Sequence, residues 1–414
     1  MNIFKIALVA APLLLAGCGS NDQESKIDAR LVINTDRNAS ELSWTITNSR
    51  LEVVASGSGY ENSTHYDIDL GFDPGGYRID FKDAGNDGLC CSYGEGNIEL
   101  YVANQLILSD NGDFGEFTDL LSQTFVAGDY QNTYQQELSG YYADADLLDG
   151  YLLKTALHRI IKQGYNQQSY SGVWDFFALG GSEDKYYEQD ASILDIYSEV
   201  PNGADPYNYT IGDDQCGNYK GEGDCYNREH VMPKSWFDDG YPMYSDVNNL
   251  YATDGYVNGI RGNLPYGEVD PSTVNFTSGN GSKRGMGHDE LGYTQAVFEP
   301  IDEFKGDIAR VYFYMATRYE DVINVANQSD DWYEQSDETY AVFEQNSSDQ
   351  VYRRWFVEMM MRWHQQDPVS QREKDRNEKV FEFQGNRNPF IDHPEFVEQI
   401  WGKEGFEAAK YYFN

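Results

Sequence analysis

The residue types that could do chemistry are concentrated in two neighbouring segments of this 414-residue chain. The first is CYNREHVMPKSWF (Cys225–Phe237), in which Glu229 precedes His230, and the second is SDVNNLYATDGYVNGIRGNLPYGE (Ser245–Glu268). Hydrolysis of a phosphodiester needs a base for water, a cation facing the charge that grows on phosphorus, and stabilisation of the leaving 3′ oxygen. The carboxylate, imidazole, amide and guanidinium groups of these segments predict a one-metal phosphodiester hydrolase.

His230 can act as the base, and Glu229 lies beside it on a segment predicted to be extended. Adjacent side chains of a strand point to opposite faces, so the two groups would diverge unless the chain bends there. Pro233 prevents regular pairing just beyond them and favours such a bend. The sequence is compatible with both geometries.

A short helix is predicted over residues 256–261, because good N-cap residues precede it and Gly262 would end it. Asn258 and Arg261 are three residues apart and therefore share one face of this helix. An amide carbonyl together with the carboxylate of Glu229, with water in the other positions, suits Mg²⁺. Strand, loop and short helix around one metal ion predict a ββα-metal arrangement.

Three ordered segments resemble the bacterial endonuclease I family, over about Ser139 to Asn414: NREHVMPKSWF, DVNNLYATDGYVNGIRGNLPYGE and QGNRNPFIDHPE. The resemblance implies a secreted or periplasmic nuclease of low sequence specificity, which cuts DNA and often RNA and leaves 5′-phosphates. It also implies that His230 is the general base. Glu229 and Asn258 would then be the ligands of Mg²⁺, with Mn²⁺ and Ca²⁺ as alternatives.

One departure from the family pattern concerns the phosphate. Smaller periplasmic members carry a phosphate-stabilising arginine between the base histidine and the metal helix. Here Val231 to Val257 contains no arginine and only Lys234 as a basic residue. Arg261 or Arg387 is assigned this role as a hypothesis.

The charge balance excludes a generally basic surface. With 69 acidic against 30 basic residues, the net charge is −39, which is typical of a secreted or salt-adapted protein. Binding of DNA or RNA would then depend on a local basic cleft, a metal ion and screening by salt. Val351 to Arg387 is the best candidate for that cleft, although solvated helix faces explain its charges equally well.

The N-terminus is typical of an export signal. Lys5 precedes the apolar run Ile6 to Leu15, which is too short to span a membrane. Leu15-Ala16-Gly17-Cys18 resembles a bacterial lipobox, which implies cleavage before Cys18, lipidation of its thiol and membrane anchoring. Gly19 gives no sign of inner-membrane retention, so we expect an outer-membrane lipoprotein facing the periplasm or the cell surface. An ordinary secretory peptide and an extracellular protein are the alternatives.

Four cysteines follow Cys18, and an exported protein is expected to form disulfides from them. Cys216 and Cys225 flank a small loop, and a bridge between them would hold the entry to the catalytic segment. Cys90 and Cys91 are adjacent, and the sequence does not decide between a strained bridge and two thiols.

The fold class predicted is multidomain: an N-terminal all-β sandwich and a C-terminal α+β nuclease domain with the ββα-metal motif. The expected divisions are 1–17 signal peptide, 18–25 tether, 26–127 accessory β-sandwich, 128–138 linker and 139–414 catalytic domain. Alternating runs separated by Gly, Asn and Asp turns indicate the sandwich, and apolar residues at helical spacing indicate helices near 147–161, 301–319, 351–366 and 394–401. Asp83, Asn86 and Asp87 are spaced like part of a calcium loop, but turn stabilisation is the favoured interpretation.

Two functions from different classes are compatible with these patterns. The first is a metal-dependent, membrane-anchored endonuclease acting on DNA and RNA, which we expect to be a monomer. The second is a surface binding lipoprotein, in which the β-sandwich does the work and the nuclease-like unit is an inactive scaffold.

Overall fold

The computed structural model describes residues 26–49, 52–85, 88–90, 93–112, 120–128, 138–323, 336–344 and 347–402. The predicted signal peptide, the tether with Cys18, most of the predicted linker, and Asn86, Asp87 and Cys91 lie outside the described residues. The chain divides into two compact units, which meet in the sequence between Ala156 and Leu157. The boundaries expected at 127 and 139 stay predictions.

Two antiparallel four-stranded sheets form the first unit, in the orders β4-β1-β6-β7 and β3-β2-β5-β8. The strands are β1 (Ile27–Asn34), β2 (Leu42–Asn48), β3 (Val53–Ser58), β4 (His65–Phe72), β5 (Gly75–Asp83), β6 (Asn97–Val102), β7 (Gln105–Asp110) and β8 (Leu120–Ala127). Their apolar side chains meet in one core, to which Leu31 and Ile33 contribute from one sheet and Ile79 and Phe81 from the other. Burying one face of each sheet explains the alternation seen in the sequence.

The contacts of Asp83 bear on the choice between a calcium loop and a stabilised turn. The Asp83 carboxylate is buried and accepts hydrogen bonds from the backbone N–H groups of Gly85, at 3.3 Å, and Gly88, at 2.7 Å. A carboxylate that satisfies backbone donors of its own turn is a turn former. These contacts favour turn stabilisation over calcium binding at this position.

The second unit combines small sheets with helices. Its elements, with the helix that crosses the boundary, are α1 (Gly150–Lys162), α2 (Gly172–Phe176), β9 (Tyr226–His230), β10 (Leu250–Asp254), α3 (Gly255–Arg261), β11 (Phe276–Thr277), β12 (Lys283–Met286), β13 (Ala296–Glu299), α4 (Lys305–Arg318), α5 (Asp337–Val342), α6 (Arg354–Gln366), α7 (Gln371–Gln384), α8 (Pro389–Asp392) and α9 (Phe396–Trp401). The predicted helices correspond to α1, α4, α6 and α9. Helix α7 was not predicted, although Ser370 and Glu373 form a capping box at its start and Gly385, at φ 82°, ends it.

Helix α4 is the centre of this unit, because all fourteen of its residues are buried. Two of its charged groups form ion pairs inside the protein, Arg310 with Glu373 and Asp307 with Arg372. A helix buried on every side needs such pairs, since an isolated buried charge is very costly. Within the described residues, no helix combines the length and apolar character needed to cross a membrane.

A long irregular segment, residues 182–225, leads into β9. It is fixed by side-chain contacts: the Asp195 carboxylate accepts from the backbone N–H groups of Tyr197 and Asp254. A disulfide joins Cys216 to Cys225, whose Cα atoms are 5.8 Å apart. The bridge predicted from the sequence is thus present and closes the loop immediately before β9.

We expect the double change Cys216→Ser and Cys225→Ser to lower the free energy of unfolding of the second unit by about 2–3 kcal/mol. The physical reason is the added entropy of the unfolded chain when a loop of this length is no longer closed. Urea unfolding followed by tryptophan fluorescence measures the change. A loss far below about 1 kcal/mol would contradict the prediction.

Candidate active site

Strands β9 and β10 and helix α3 form the framework of the site. The strands pair antiparallel, with His230 opposite Leu250 and Tyr226 opposite Asp254. Asp254 then begins α3, since its carboxylate accepts from the backbone N–H of Val257 at 2.8 Å. The predicted short helix therefore follows directly on the second strand, as two strands and a helix in sequence.

Glu229 and His230 point to opposite sides of β9. Glu229 contacts a set of buried side chains that includes Arg261 of α3. The ring of His230 instead lies against Tyr170 and Tyr244, and none of its contacts is shared with Glu229. Strand alternation therefore holds through His230, and the bend considered from the sequence is not needed.

Glu229 lies in a buried network of hydrogen bonds. Its Oε1 accepts from the Tyr197 hydroxyl at 2.7 Å, from the Tyr266 hydroxyl at 3.2 Å and from Nη1 of Arg261 at 3.0 Å. Burial raises the pKa of this carboxyl, and the neighbouring guanidinium of Arg261 opposes the increase. The network compensates for much of the cost of burying a carboxylate.

Arg261 has its donors committed to the protein. Besides Glu229, it donates to the backbone carbonyls of His230 at 2.8 Å, Val231 at 2.7 Å and Leu264 at 3.1 Å, and only 1% of the residue is exposed. A guanidinium used in this way orients Glu229 and the end of β9. The contacts therefore correct the expectation that Arg261 faces the phosphate.

Asn258 lies one turn before Arg261 and reaches the same side of β9. Its Nδ2 donates to Oδ1 of Asn227 at 2.7 Å and more weakly to the backbone carbonyl of Arg228 at 3.4 Å. These bonds fix the amide so that the carbonyl oxygen Oδ1 is the end left for another partner. Within the described part of the chain, Oδ1 accepts no hydrogen bond.

The two oxygens that accept no hydrogen bond from a described residue, Oε2 of Glu229 and Oδ1 of Asn258, are of the type that binds a hard cation. All the hydrogen bonds of the Glu229 carboxylate converge on Oε1, and Oε2 accepts none from any described residue. Oε2 and Oδ1 of Asn258 are a carboxylate and an amide oxygen on the α3 side of β9. Mg²⁺ is typically bound by one or two such oxygens together with water and substrate phosphate, so these residues fit the ion.

His230 has one ring nitrogen assigned by its surroundings. Its Nε2 lies 2.9 Å from the backbone carbonyl of Tyr244, which can only accept, so Nε2 must carry the proton. Burial lowers the pKa of His230 to about 3, and the ring is therefore neutral near pH 7. Nδ1 has no partner among the described residues and carries the free lone pair that a base needs.

Arg228 is a residue that the sequence reasoning missed. It lies two positions before His230 on the same face of β9, and its guanidinium stacks 3.5 Å from the ring centre of Tyr170, which also contacts His230. No described carboxylate pairs with it, and its Nε is buried without a hydrogen-bond partner. The sequence does contain a signal for this residue, because strand alternation places Arg228, two positions before His230, on the same face of β9.

Most of the other basic candidates are paired with carboxylates. Arg387 donates to Glu378 and Asp392, and none of its hydrogen bonds reaches the residues of β9 or α3. Lys234 pairs with Asp239. In the expected basic cleft, Arg354 pairs with Glu358, Arg362 with Glu268, Arg372 with Asp307 and Lys379 with Glu382. These pairs reduce the free positive charge of 351–387, although Arg376 donates only to the backbone carbonyls of Val247 and Leu250, and the basic cleft stays a prediction.

The remaining asparagine side chains of the motifs form hydrogen bonds that hold loops in place. Asn249 bonds the backbone of Met232 in both directions, at 2.8 and 3.1 Å, and so ties β10 to the chain beyond β9. Asn388 caps α8 through the N–H of Phe390. Asn386 bonds the backbone carbonyl of Ile161. The two asparagines of the QGNRNPF segment are therefore engaged in bonds to the backbone.

Comparison of the sequence with known proteins identifies the family of this chain. The family model described as Endonuclease I matches residues 149–395. The extracellular ribonuclease of Bacillus subtilis (strain 168) is 34% identical over 288 residues, covering 68% of this chain and 83% of the relative. The extracellular ribonuclease of Bacillus amyloliquefaciens is 34% identical over 271 residues, covering 63% and 78%. The extracellular deoxyribonuclease of Aeromonas hydrophila is 26% identical over 185 residues, covering 40% and 64%.

The matched region contains β9, β10 and α3 with their side chains. The chain therefore belongs to the endonuclease I family. The resemblance noted in the motifs is confirmed.

We expect Arg261→Met to destabilise the second unit by about 3–5 kcal/mol, because it leaves the Glu229 carboxylate buried without its cation. Adding Glu229→Gln should recover part of this loss, since the uncompensated charge is then gone. Chemical denaturation of the single and double variants measures both effects. Arg362→Met, which breaks an exposed pair, is the matched control and should cost at most about 1 kcal/mol. Equal, small losses in Arg261→Met and the control would contradict the buried-pair interpretation.

Proposed function

We propose that this protein is an exported, metal-dependent endonuclease that hydrolyses phosphodiester bonds of DNA and RNA with little sequence specificity and leaves 5′-phosphates. The observation that carries the proposal is the state of His230: a neutral ring with Nε2 fixed by a carbonyl and Nδ1 free. Membership of the endonuclease I family supports the same reaction.

In the proposed mechanism, Nδ1 of His230 takes a proton from the attacking water. The carbonyl of Tyr244 holds the ring in one tautomer, and the parallel rings of Tyr170 and Tyr244 hold its plane. Water oxygen bonds to phosphorus as the bond to the 3′ oxygen breaks. The 3′ oxygen takes a proton from solvent and His230 returns its proton to solvent, which yields a 5′-phosphate and a 3′-hydroxyl. Since water is the nucleophile, the sugar 2′-hydroxyl takes no part, and both DNA and RNA are suitable substrates.

Glu229 and Asn258 are the residues that would hold Mg²⁺, through Oε2 and Oδ1. When bound, the ion would supply charge stabilisation for the phosphate and the leaving oxygen, which requires a phosphate at the end of β9, where His230 is the last residue and both faces of the strand can be reached. Arg261, Tyr197 and Tyr266 act as positioning residues, because their bonds to Oε1 leave the other oxygen of Glu229 for the ion. Mn²⁺ and Ca²⁺ are alternatives that accept the same oxygen ligands.

Arg228 is proposed as the phosphate-contacting cation, in place of Arg261 or Arg387. It shares a strand face and the neighbour Tyr170 with His230, so a phosphate attacked by water at His230 would lie within reach. Next to aromatic rings and without a carboxylate partner, its charge is less screened than that of the paired arginines. Burial lowers the pKa of Arg228 without making it neutral near pH 7.

The cellular place of the reaction is proposed from the N-terminus and the relatives. Relatives from Bacillus and Aeromonas are named extracellular nucleases, and the Cys216–Cys225 disulfide suits an oxidising compartment. Lipidation of Cys18 would anchor a monomeric enzyme to the outer membrane, facing the periplasm or the cell surface. Digestion of nucleic acid outside the cytoplasm follows from that location.

The reaction is tested with plasmid DNA and structured RNA as substrates. We expect cleavage with Mg²⁺, its loss on adding EDTA, and its return with excess Mg²⁺. His230→Ala should lower the cleavage rate by about 10²–10⁴-fold, the range that a general base contributes. Product end-labelling should detect 5′-phosphates.

His288→Ala is the matched control, because His288 caps a short turn in the same unit and should leave the rate unchanged. Thermal unfolding of both variants verifies that they are folded. Full activity in His230→Ala, or no activity in the intact wild-type chain, would overturn the proposal and favour a binding lipoprotein with an inactive scaffold.

Arg228→Met should lower kcat/KM by about 10–100-fold while the protein stays folded, because the methionine keeps most of the stacking on Tyr170. The loss of one phosphate contact should reduce the slope of log KM against log salt by roughly 1. Arg228→Lys should retain part of the activity. Arg362→Met serves as the control, and an unchanged salt slope in Arg228→Met would rule out a phosphate contact.

A further inference from the structure

Three carboxylates converge in the irregular segment before β9, away from Glu229 and Asn258. Oxygens of Asp184, Glu188 and Glu199 lie within 4.8 Å of one another. Asp184 and Glu199 are buried, with 2% and 1% of each residue exposed, whereas Glu188 is partly exposed. The cluster is therefore built into the interior and opens to solvent on the side of Glu188.

Glu199 is the residue that points to a ligand. Both of its carboxylate oxygens are buried and have no hydrogen-bond partner among the described residues. Oε2 of Glu188 is likewise buried without a partner. A buried carboxylate without a partner is among the costliest groups in a protein, and it is normally paired or bound to a metal. An oxygen of the Asp184 carboxylate lies within 4.8 Å of these two glutamates, and it can only accept when ionised.

The surrounding charges make the imbalance worse. Asp205 lies close enough to raise the pKa of both glutamates, and burial with these neighbours brings that of Glu199 to about 9. No lysine or arginine of the described chain forms an ion pair with any of the four acids. Two basic groups of the surrounding chain are paired elsewhere: Lys185 with Glu183, and Arg372, whose charge partly opposes the rise in the pKa of Glu199, with Asp307.

The backbone holds the carboxylates in place. Asp184 accepts three backbone hydrogen bonds, from Tyr186, Tyr187 and Glu188, each at 3.0 Å. Asp205 accepts from the N–H of Val200 at 2.7 Å. The turn that contains Asp184 and Glu188 and the chain next to Glu199 are each held by backbone bonds of their own, so the acidic groups are oriented before any ion arrives.

We propose that Asp184, Glu188 and Glu199 form a second divalent-cation site, distinct from the catalytic one, and that its ion is Ca²⁺. Carboxylate oxygens are the ligands that Ca²⁺ prefers, at about 2.3–2.6 Å, so opposite ligands lie roughly 5 Å apart. The separations, all within 4.8 Å, are compatible with that shell. Three protein carboxylates favour Ca²⁺ over Mg²⁺, which usually keeps several waters and binds only one or two carboxylates.

The ion would stabilise the segment that supports the catalytic carboxylate. Glu199 is two residues from Tyr197, which donates to Glu229, and four from Asp195, which accepts from the backbone of Asp254 at the start of α3. Holding Glu199 therefore fixes the chain that positions both Glu229 and α3. The site is structural, and its ion does not enter the reaction.

The test uses the metal-free full chain and measures Ca²⁺ binding by isothermal titration calorimetry and Tm by thermal unfolding. Wild-type protein should bind Ca²⁺ at this site and gain about 2–4 °C or more in Tm in millimolar CaCl₂. Glu199→Gln should remove this binding and the Tm gain. In the absence of metal, Glu199→Gln should be about as stable as wild type, because the raised pKa of Glu199 leaves its carboxyl uncharged near pH 7.

Two further variants identify the site. Glu229→Gln alters the catalytic ligand and should keep the Ca²⁺-dependent gain in Tm. Glu222→Gln, an acid of the same segment whose carboxylate accepts from Gly279, should also keep it. No Ca²⁺-dependent change in wild type, or an equal change in Glu199→Gln, would overturn the proposal in favour of a protonated Glu199. The measured quantities are Ca²⁺ binding and Tm, and neither depends on nuclease activity. The outcome for this site can therefore be distinguished from the outcome for the proposed function.

Discussion

The buried carboxylate of Glu229 is the constraint on which the catalytic unit depends. A carboxylate in the interior must be compensated, and here Arg261, Tyr197 and Tyr266 converge on one of its two oxygens. Arg261 comes from α3 and also bonds backbone carbonyls beyond β9, so one guanidinium fixes the strand against the helix. The same bonds leave the second oxygen for an ion, which links stability to the chemistry of the site.

The alternation of β9 divides the site into two sides with different character. The side facing α3 carries Glu229 and is rich in oxygen ligands and hydroxyl groups. On the other side, Arg228 and His230 are packed against aromatic rings, principally that of Tyr170. Low polarity keeps the imidazole neutral and leaves the guanidinium charge poorly screened. A chain of net charge −39 can thus present one local cation suited to a phosphate.

The irregular segment before β9 contributes more to the site than its lack of regular structure suggests. Its residues Asp195 and Tyr197 contact the start of α3 and the catalytic carboxylate. A disulfide closes its end, and acidic side chains converge near its beginning. Loops of this length keep a fixed shape through side-chain contacts, because they have few backbone pairs of their own.

Local patterns in the sequence predicted much of this molecule. Alternation gave most strands of the sandwich, helical periodicity gave α4 and α6, and ordered motifs gave the family and the candidate roles of Glu229, His230 and Asn258. Helix α7 was missed because its face is weakly apolar and only its caps mark it.

What the sequence by itself determined was therefore the family and the elements that carry the candidate site residues, since both depend on residues close together in the chain. Only the tertiary structure decided which cations are free. Arg261 and Arg387 are committed to carboxylates, whereas Arg228 is not, because pairing depends on side chains far apart in sequence that meet only in the folded protein.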